Sequence, residues 1–229
     1  MKVTYLGHAS LLIETAGKKL IVDPFISPND LAKDINIDEL EADYILITHG
    51  HQDHVVDVEA IAEKTGATII SNFEIVSYYG EKGFNGHPMN HGGKFKFDFG
   101  TLKYVNAIHS SVLPDGTYAG NPGGFVLMNQ EGKIYIAGDT ALTLDMKLIP
   151  ATCGDLDLAI LPIGDNFTMG YEDAKVAAQY LECNTIMGYH YDTFPPIKID
   201  KAAATRYFKQ SEKSLLLPDI GETLDVDTI

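Results

Sequence analysis

Six residues, His49 to His54, carry three imidazoles and one carboxylate within the run Thr48-His49-Gly50-His51-Gln52-Asp53-His54. Neutral imidazole and carboxylate are the ligands that borderline divalent metals such as zinc prefer. The flanks constrain the fold as much as the ligands do. Tyr44-Ile45-Leu46-Ile47 before the run has strand length and composition, and Val55, Val58, Ile61 and Ala62 after it recur at helical spacing up to Lys64. The cluster therefore falls on a strand-to-helix loop, gripped by a rigid element at each end, as a metal site requires. If the chain stays extended just past the strand, His49 and His51 point to one side, and Asp53 and His54 follow at the turn, within reach of a second metal.

A lone His-x-His is compatible with loop histidines that share no task, but four potential ligands on one short loop point to a shared one. The run resembles the His-x-His-x-Asp-His signature of the metallo-β-lactamase superfamily, matched without substitution. That resemblance implies an α/β chain folded as a four-layer αββα sandwich, two mixed sheets face to face with helices outside.

Composition narrows what such a chain acts on. With 45% hydrophobic and 21% charged residues it reads as an ordinary globular protein, and its 229 residues can bury a substantial core. Its formal charge of −15 repels phosphate backbones at long range, which counts against nucleic acid as substrate. A small anion stays compatible, because bound divalent ions reverse the local field. No stretch approaches the ~20 apolar residues of a membrane span, and Met1-Lys2-Val3-Thr4-Tyr5-Leu6 has neither the apolar core nor the cleavage site of a signal peptide. The expected location is the cytoplasm, with Cys153 and Cys183 as free thiols.

Pattern reading gives a β-rich opening, with strands at Val3-Leu6, Ser10-Thr15, Lys19-Val22 and Tyr44-Ile47. A helix from Val55 ends near Gly66, a strand follows at Ala67-Ile70 and a helix at Phe73-Tyr79. Gly83 to Gly93, rich in Gly and Asn and holding Pro88, reads as loop. Lys94-Phe97 pairs with Thr101-Ile108, and Gly124-Met128 with Lys133-Ala137 across the four residues Asn129-Gly132. The last third alternates: helices near Leu144-Pro150, Tyr171-Leu181 and Asp200-Lys209, strands at Leu156-Leu161, Thr185-Tyr189 and Ser214-Leu217. No linker, repeat or low-complexity run divides the chain, so one domain over 1–229 is expected.

His109, Asp139 and His190 each stand at the carboxyl end of one of these strands, the edge where loops converge. In the superfamily a histidine, an aspartate and a histidine occupy these places. The resemblance thus implies His49, His51 and His109 around one metal, Asp53, His54 and His190 around the other, and Asp139 bridging both. Tyr5-Leu6-Gly7-His8-Ala9-Ser10, Asp23-Pro24-Phe25, Leu161 to Gly170 and His190-Tyr191-Asp192-Thr193-Phe194-Pro195 are similar to metal-dependent hydrolases grouped near ascorbate-6-phosphate lactonase and the N-acyl phosphatidylethanolamine phospholipase D. Asp192 departs from the asparagine expected in many of those relatives, and a carboxylate facing the site would weaken binding of an anionic substrate. Asp23 is expected to brace the metal loops, and Thr168-Met169-Gly170 to line the pocket. His8 is open between a turn residue bonded to backbone and a cleft residue acting as substrate contact, proton donor or extra ligand. His87 and His91 read as ordinary loop histidines.

Two divalent ions, zinc or manganese by the donor set, would bring a bridging water from a pKa of ~15.7 toward ~7 and polarise a carbonyl or phosphoryl oxygen. Asp53 would orient that water and take its proton. The expected activity is hydrolysis of a small ester, lactone or phosphodiester. The alternatives are a nucleic-acid phosphodiesterase, which should carry a basic face, and a non-catalytic metal-binding or regulatory module on the same fold. A two-iron redox enzyme fits less well, since that branch normally replaces His51 with a carboxylate.

Overall fold

Connection length sorts the strands, because antiparallel neighbours need only a tight turn and parallel ones need a crossover. The computed structural model describes residues 1–229. Strands β1 (Lys2–Gly7), β2 (Ser10–Thr15), β3 (Lys18–Val22), β4 (Tyr44–Leu46), β5 (Thr68–Asn72) and β6 (Gly86–Met89) form one sheet in that order. Strands β7 (Lys94–Phe97), β8 (Gly100–Asn106), β9 (Gly123–Asn129), β10 (Gly132–Ile136), β11 (Leu158–Pro162), β12 (Thr185–Tyr189) and β13 (Ser214–Leu216) form the second, and β14 (Thr223–Asp225) returns to pair antiparallel with β1. From β1 to β6 and from β7 to β13 the early neighbours are antiparallel and the later ones parallel. The helices α1 (Gln52–Val55), α2 (Val58–Thr65), α3 (Phe73–Glu81), α4 (Leu148–Cys153), α5 (Tyr171–Tyr180) and α6 (Lys201–Phe208) serve the parallel crossovers.

The apolar residues place the layers. Leu11, Ile13 and Leu20 of the first sheet are buried together with Phe125, Leu127 and Ile134 of the second, so the sheets pack face to face. On the outer side of the first sheet Ile61 of α2 and Ile75 and Tyr79 of α3 cover Ile45 and Ile69. On the outer side of the second, Ile149, Ala174, Ala177 and Phe208 cover Val126, Tyr135 and Ala159. This is the four-layer αββα sandwich. No helix is long and apolar enough to cross a membrane.

Four elements differ from the pattern reading. The helix expected from Val55 breaks at Asp57, which is buried (3% exposed) and ties itself to the Pro24–Ser27 segment. Its carboxylate accepts from the Ile26 and Ser27 amides at 2.6 and 2.9 Å and from the Ser27 hydroxyl, and its own amide donates to Pro24 O. Asp53 and His54 accordingly sit in the first turn of a short helix rather than on a free loop. Within the expected loop Gly83–Gly93, β6 pairs with β5 from Gly86 to Met89. Pro88 is tolerated there because β6 is an edge strand, with no further neighbour awaiting its missing N–H. The turn after Asn129 is shortened to Gln130-Glu131, and β14 has only three residues, too few and too polar to show a pattern.

Candidate metal centre

The candidate residues converge from the carboxyl ends of four strands. Thr48 to His54 leave β4, His109 follows β8, Asp139 follows β10, and His190 is the residue after β12. Both sheets therefore contribute to one point at their common edge. Two glycines permit the approach. A Cβ on Gly50 would lie 2.4 Å from the Ala119 Cβ, and one on Gly138, where φ is +66°, would lie 2.7 Å from the Thr48 Cβ.

Asp139 is the hub. Its Oδ2 lies 3.1 Å from His190 Nε2, 3.5 Å from His109 Nε2 and 3.9 Å from His49 Nε2, and its Oδ1 lies 3.4 Å from His54 Nε2. His49 Nε2 and His51 Nδ1 are 3.0 Å apart. His49, His51 and His109 offer one set of donor atoms within 4.8 Å of one another, and His8, Asp53, His54 and His190 offer a second; Asp23, His49 and His54 make a third, buried grouping. His49, His54, Asp139 and His190 are at most 3% exposed. His51 and His109 are partly exposed, and the Asp53 side chain is 29% exposed, which puts the mouth of the site on their side.

The donor set fits a bound cation. His54 Nε2, Asp139 Oδ1 and both ring nitrogens of His190 are buried without a hydrogen-bond partner. Each such orphan costs about 1–3 kcal/mol. His54 and His190 approach Asp139 closely, yet at angles that make no hydrogen bond. Lone pairs aimed past one another at a shared point are what a metal site requires and what a hydrogen-bonded cluster avoids.

Neighbouring groups fix the ring orientations. Asp23, fully buried with φ +43°, accepts from the Thr48 amide at 2.8 Å, from the Thr48 hydroxyl at 2.6 Å and from His54 Nδ1 at 2.9 Å. The Thr48 hydroxyl spends its proton on Asp23, so Thr48 Oγ1 accepts from His49 Nδ1–H at 3.0 Å. Both rings are thus held with Nε2 turned to the centre, the carboxylate–histidine bracing common behind metal ligands. Asp23 was expected to brace these loops, whereas the Thr48 contribution had no sequence signal beyond its place before His49.

His8 lies in the turn between β1 and β2, 1% exposed with φ +55°. Its Nε2 is 3.0 Å from Asp53 Oδ2 and its Nδ1 3.0 Å from Thr193 Oγ1. Its ring is packed by His190 at 4.1 Å and by Phe25 and Phe194 at 5.3 Å. Burial, aided by His190, lowers its pKa to about 4, so the ring is neutral. Burial works against ionisation of Asp53, but the His8 hydrogen bond and the neighbouring His54 outweigh it and keep the carboxyl below its usual range. Asp139 is likewise held well below that range, burial being outweighed by His190 and His54. Burial also lowers His49 well below the ordinary imidazole value.

The remaining singled-out residues lie elsewhere. His87 packs on Phe95 and Phe97, and His91 Nε2 is 2.9 Å from Pro122 O. Both cysteines are free. Asp192 (φ +64°) turns into its own loop, where its Oδ1 accepts from the Ile199 amide at 3.0 Å, and it lines a side cavity of about 550 Å³ with Tyr5, His8, Thr193 and Lys198. Asparagine and aspartate share tolerance for that left-handed backbone, which accounts for either residue there.

Fold and donor set define a class. Residues 2–190 match the β-lactamase superfamily domain, and the chain belongs to that superfamily. It is 61% identical to a metal-dependent hydrolase of Flavobacterium johnsoniae over 99% of this chain and 100% of that one. It is 56% identical to one from Christiangramia forsetii, with the same coverage. Among solved structures, a metallo hydrolase from the hyperthermophilic archaeon Ignicoccus hospitalis superposes with a TM-score of 0.87 at 32% identity, covering 97% of each chain.

Proposed function

We infer that this chain is a metal-dependent hydrolase, as its relatives are named, and that it works with two divalent ions on a small ester, lactone or phosphodiester. The observation that carries the reading is Asp139, whose two oxygens face histidines of both donor sets while Oδ1 has no hydrogen bond. We assign His49, His51 and His109 to one ion, Asp53, His54 and His190 to the other, and Asp139 to both. The all-nitrogen and oxygen donor set suits zinc or manganese.

Bound there, such ions supply a water acidified for attack and positive charge opposite the oxygen that gains charge. The chain's own part is positional. Asp53 Oδ2 is held by His8 Nε2–H, which leaves the partly exposed carboxylate at the mouth, where it would take the attacking water's proton. Asp23 and Thr48 keep His54 and His49 presenting Nε2. Burial of His49, His54, Asp139 and His190 excludes bulk water from the inner wall, where each interaction gains strength. His8 is the further candidate for the chemistry, through Asp53. The surplus of 32 acidic over 17 basic residues favours small substrates over nucleic acid.

The test is a panel of esters, lactones, phosphodiesters and short oligonucleotides, assayed with zinc- and manganese-loaded protein beside Asp139→Asn. Metal-dependent turnover of a small substrate, abolished in the variant, is expected. Tight metal binding with no turnover of any class would replace this reading with that of a metal-binding module.

A further inference from the structure

We propose that Thr193 is a positioning residue of the metal centre, acting through His8 on Asp53. The proposal rests on the reading of Asp53 as a metal ligand given above, and it stands on two distances. His8 Nε2 lies 3.0 Å from Asp53 Oδ2, and an ionised carboxylate oxygen only accepts, so the ring proton sits on Nε2. In the Nε2–H tautomer Nδ1 is the acceptor, and the group 3.0 Å from it is the Thr193 hydroxyl, placed to donate. Its other polar neighbour, Tyr191 O, is farther away at 3.4 Å.

The tautomer of a neutral imidazole is set by the hydrogen bond its far nitrogen makes. Thr193 donating to Nδ1 therefore keeps the proton on Nε2, and that proton fixes the Asp53 carboxylate. The ring has no other freedom to respond. It is clamped between Phe25, Phe194 and His190 and sits on a left-handed backbone that holds the turn between β1 and β2. His190 is drawn into the same assembly, its amide donating to His8 O at 2.8 Å. Thr193 lies 185 residues from His8 in sequence, so no motif spacing links them. On its other side Thr193 faces the cavity of about 550 Å³, not the metal donors, which separates its role from that of a ligand.

Two variants test this. Thr193→Val keeps the shape and removes the donor, and Thr193→Ser restores it. In metal-free protein labelled with ¹⁵N-histidine, long-range ¹H–¹⁵N spectra should show His8 as the Nε2–H tautomer in wild type and Thr193→Ser, and a mixture in Thr193→Val. With zinc alone as probe, chelator competition should show the second equivalent bound ~10-fold more weakly in Thr193→Val, the first unchanged, and Thr193→Ser close to wild type. On any substrate found by the panel, kcat should fall with KM little changed. A wild-type His8 in the Nδ1–H form overturns the proposal. So does a Thr193→Val protein that matches wild type in tautomer and zinc affinity, or one that only loses melting temperature. Should wild type bind no zinc, the metal reading fails, and the spectra of the metal-free protein still decide the Thr193–His8 link.

Discussion

Asp23→Asn separates the bracing of the centre from its ligands. Asp23 touches neither donor set from the mouth side, yet it accepts three hydrogen bonds, from Thr48 N, Thr48 Oγ1 and His54 Nδ1. Bonds to a charged acceptor are worth about 1.5–3 kcal/mol against about 0.5–1.5 for neutral pairs, so loss of the charge costs about 1 kcal/mol per bond, about 3 kcal/mol in all. Asparagine tolerates the φ of +43° as aspartate does, so no backbone penalty confuses the reading. For a chain of this size about 3 kcal/mol corresponds to a fall in melting temperature of roughly 6–12 °C. The amide has a second consequence. Its oxygen stays with the Thr48 amide, and its NH₂ then faces His54 Nδ1, which must give up its proton. The proton moves to Nε2, the atom aimed at Asp139, and His54 ceases to be a ligand. Zinc affinity at that position should drop about 10- to 100-fold. Calorimetry on metal-free protein reads the first effect and chelator competition the second. A variant that melts within about 2 °C of wild type and binds zinc equally would refute both the bracing and the tautomer assignment.

Metal analysis after gentle purification should find up to two divalent ions per chain, and no tight binding of any transition metal would sink the assignment. Asp139→Asn should lose one ion and at least ~100-fold in rate while folding normally, measured by metal content and turnover together. Chelation should lower the melting temperature, since free metal at 100 times its dissociation constant adds about 2.7 kcal/mol per site; an unchanged transition would mean no site was filled. His8→Ala should weaken the second ion and turnover with the first ion retained, whereas a drop in melting temperature alone would return His8 to a turn residue. Gly138→Ala, with its Cβ forced to 2.7 Å from the Thr48 Cβ, should misplace Asp139 and cost several kcal/mol, and a soluble variant with full metal content would contradict that packing.

What the sequence made legible was local. His49, His51, Asp53 and His54 are covalent neighbours, so their grouping survives any fold, and β2 and β12 follow their apolar patterns to the residue. His109, Asp139 and His190 are proposed because each stands at or just past the end of a readable strand, where the superfamily resemblance implies a histidine, an aspartate and a histidine. Hidden were features set by distant partners. The helix break at Asp57 depends on amides some thirty residues earlier, β6 on a neighbour that lets Pro88 and Gly86 sit in a ladder, and β14 on the open edge of β1. Thr48 and Thr193 stand inside segments the sequence singles out, but their contacts carry no pattern, because one hydroxyl beside one ring nitrogen is defined by geometry alone.

The order in which the strands enter the two sheets has a consequence for the chain as it is made. The first six strands all join one sheet and bring His8 and His49 to His54 with them, while His109, Asp139 and His190 arrive with the other. At ~5–20 residues per second, His190 leaves the ribosome on the order of ten seconds after His54. Through that interval the nascent sheet shows its apolar inner face and an unfinished set of imidazoles, with the edge of β1 open until β14 is synthesised last. If the site holds metal as proposed, such a partial set would hold ions loosely and exchange them, and selection of the resident metal would fall to the docking of the second sheet.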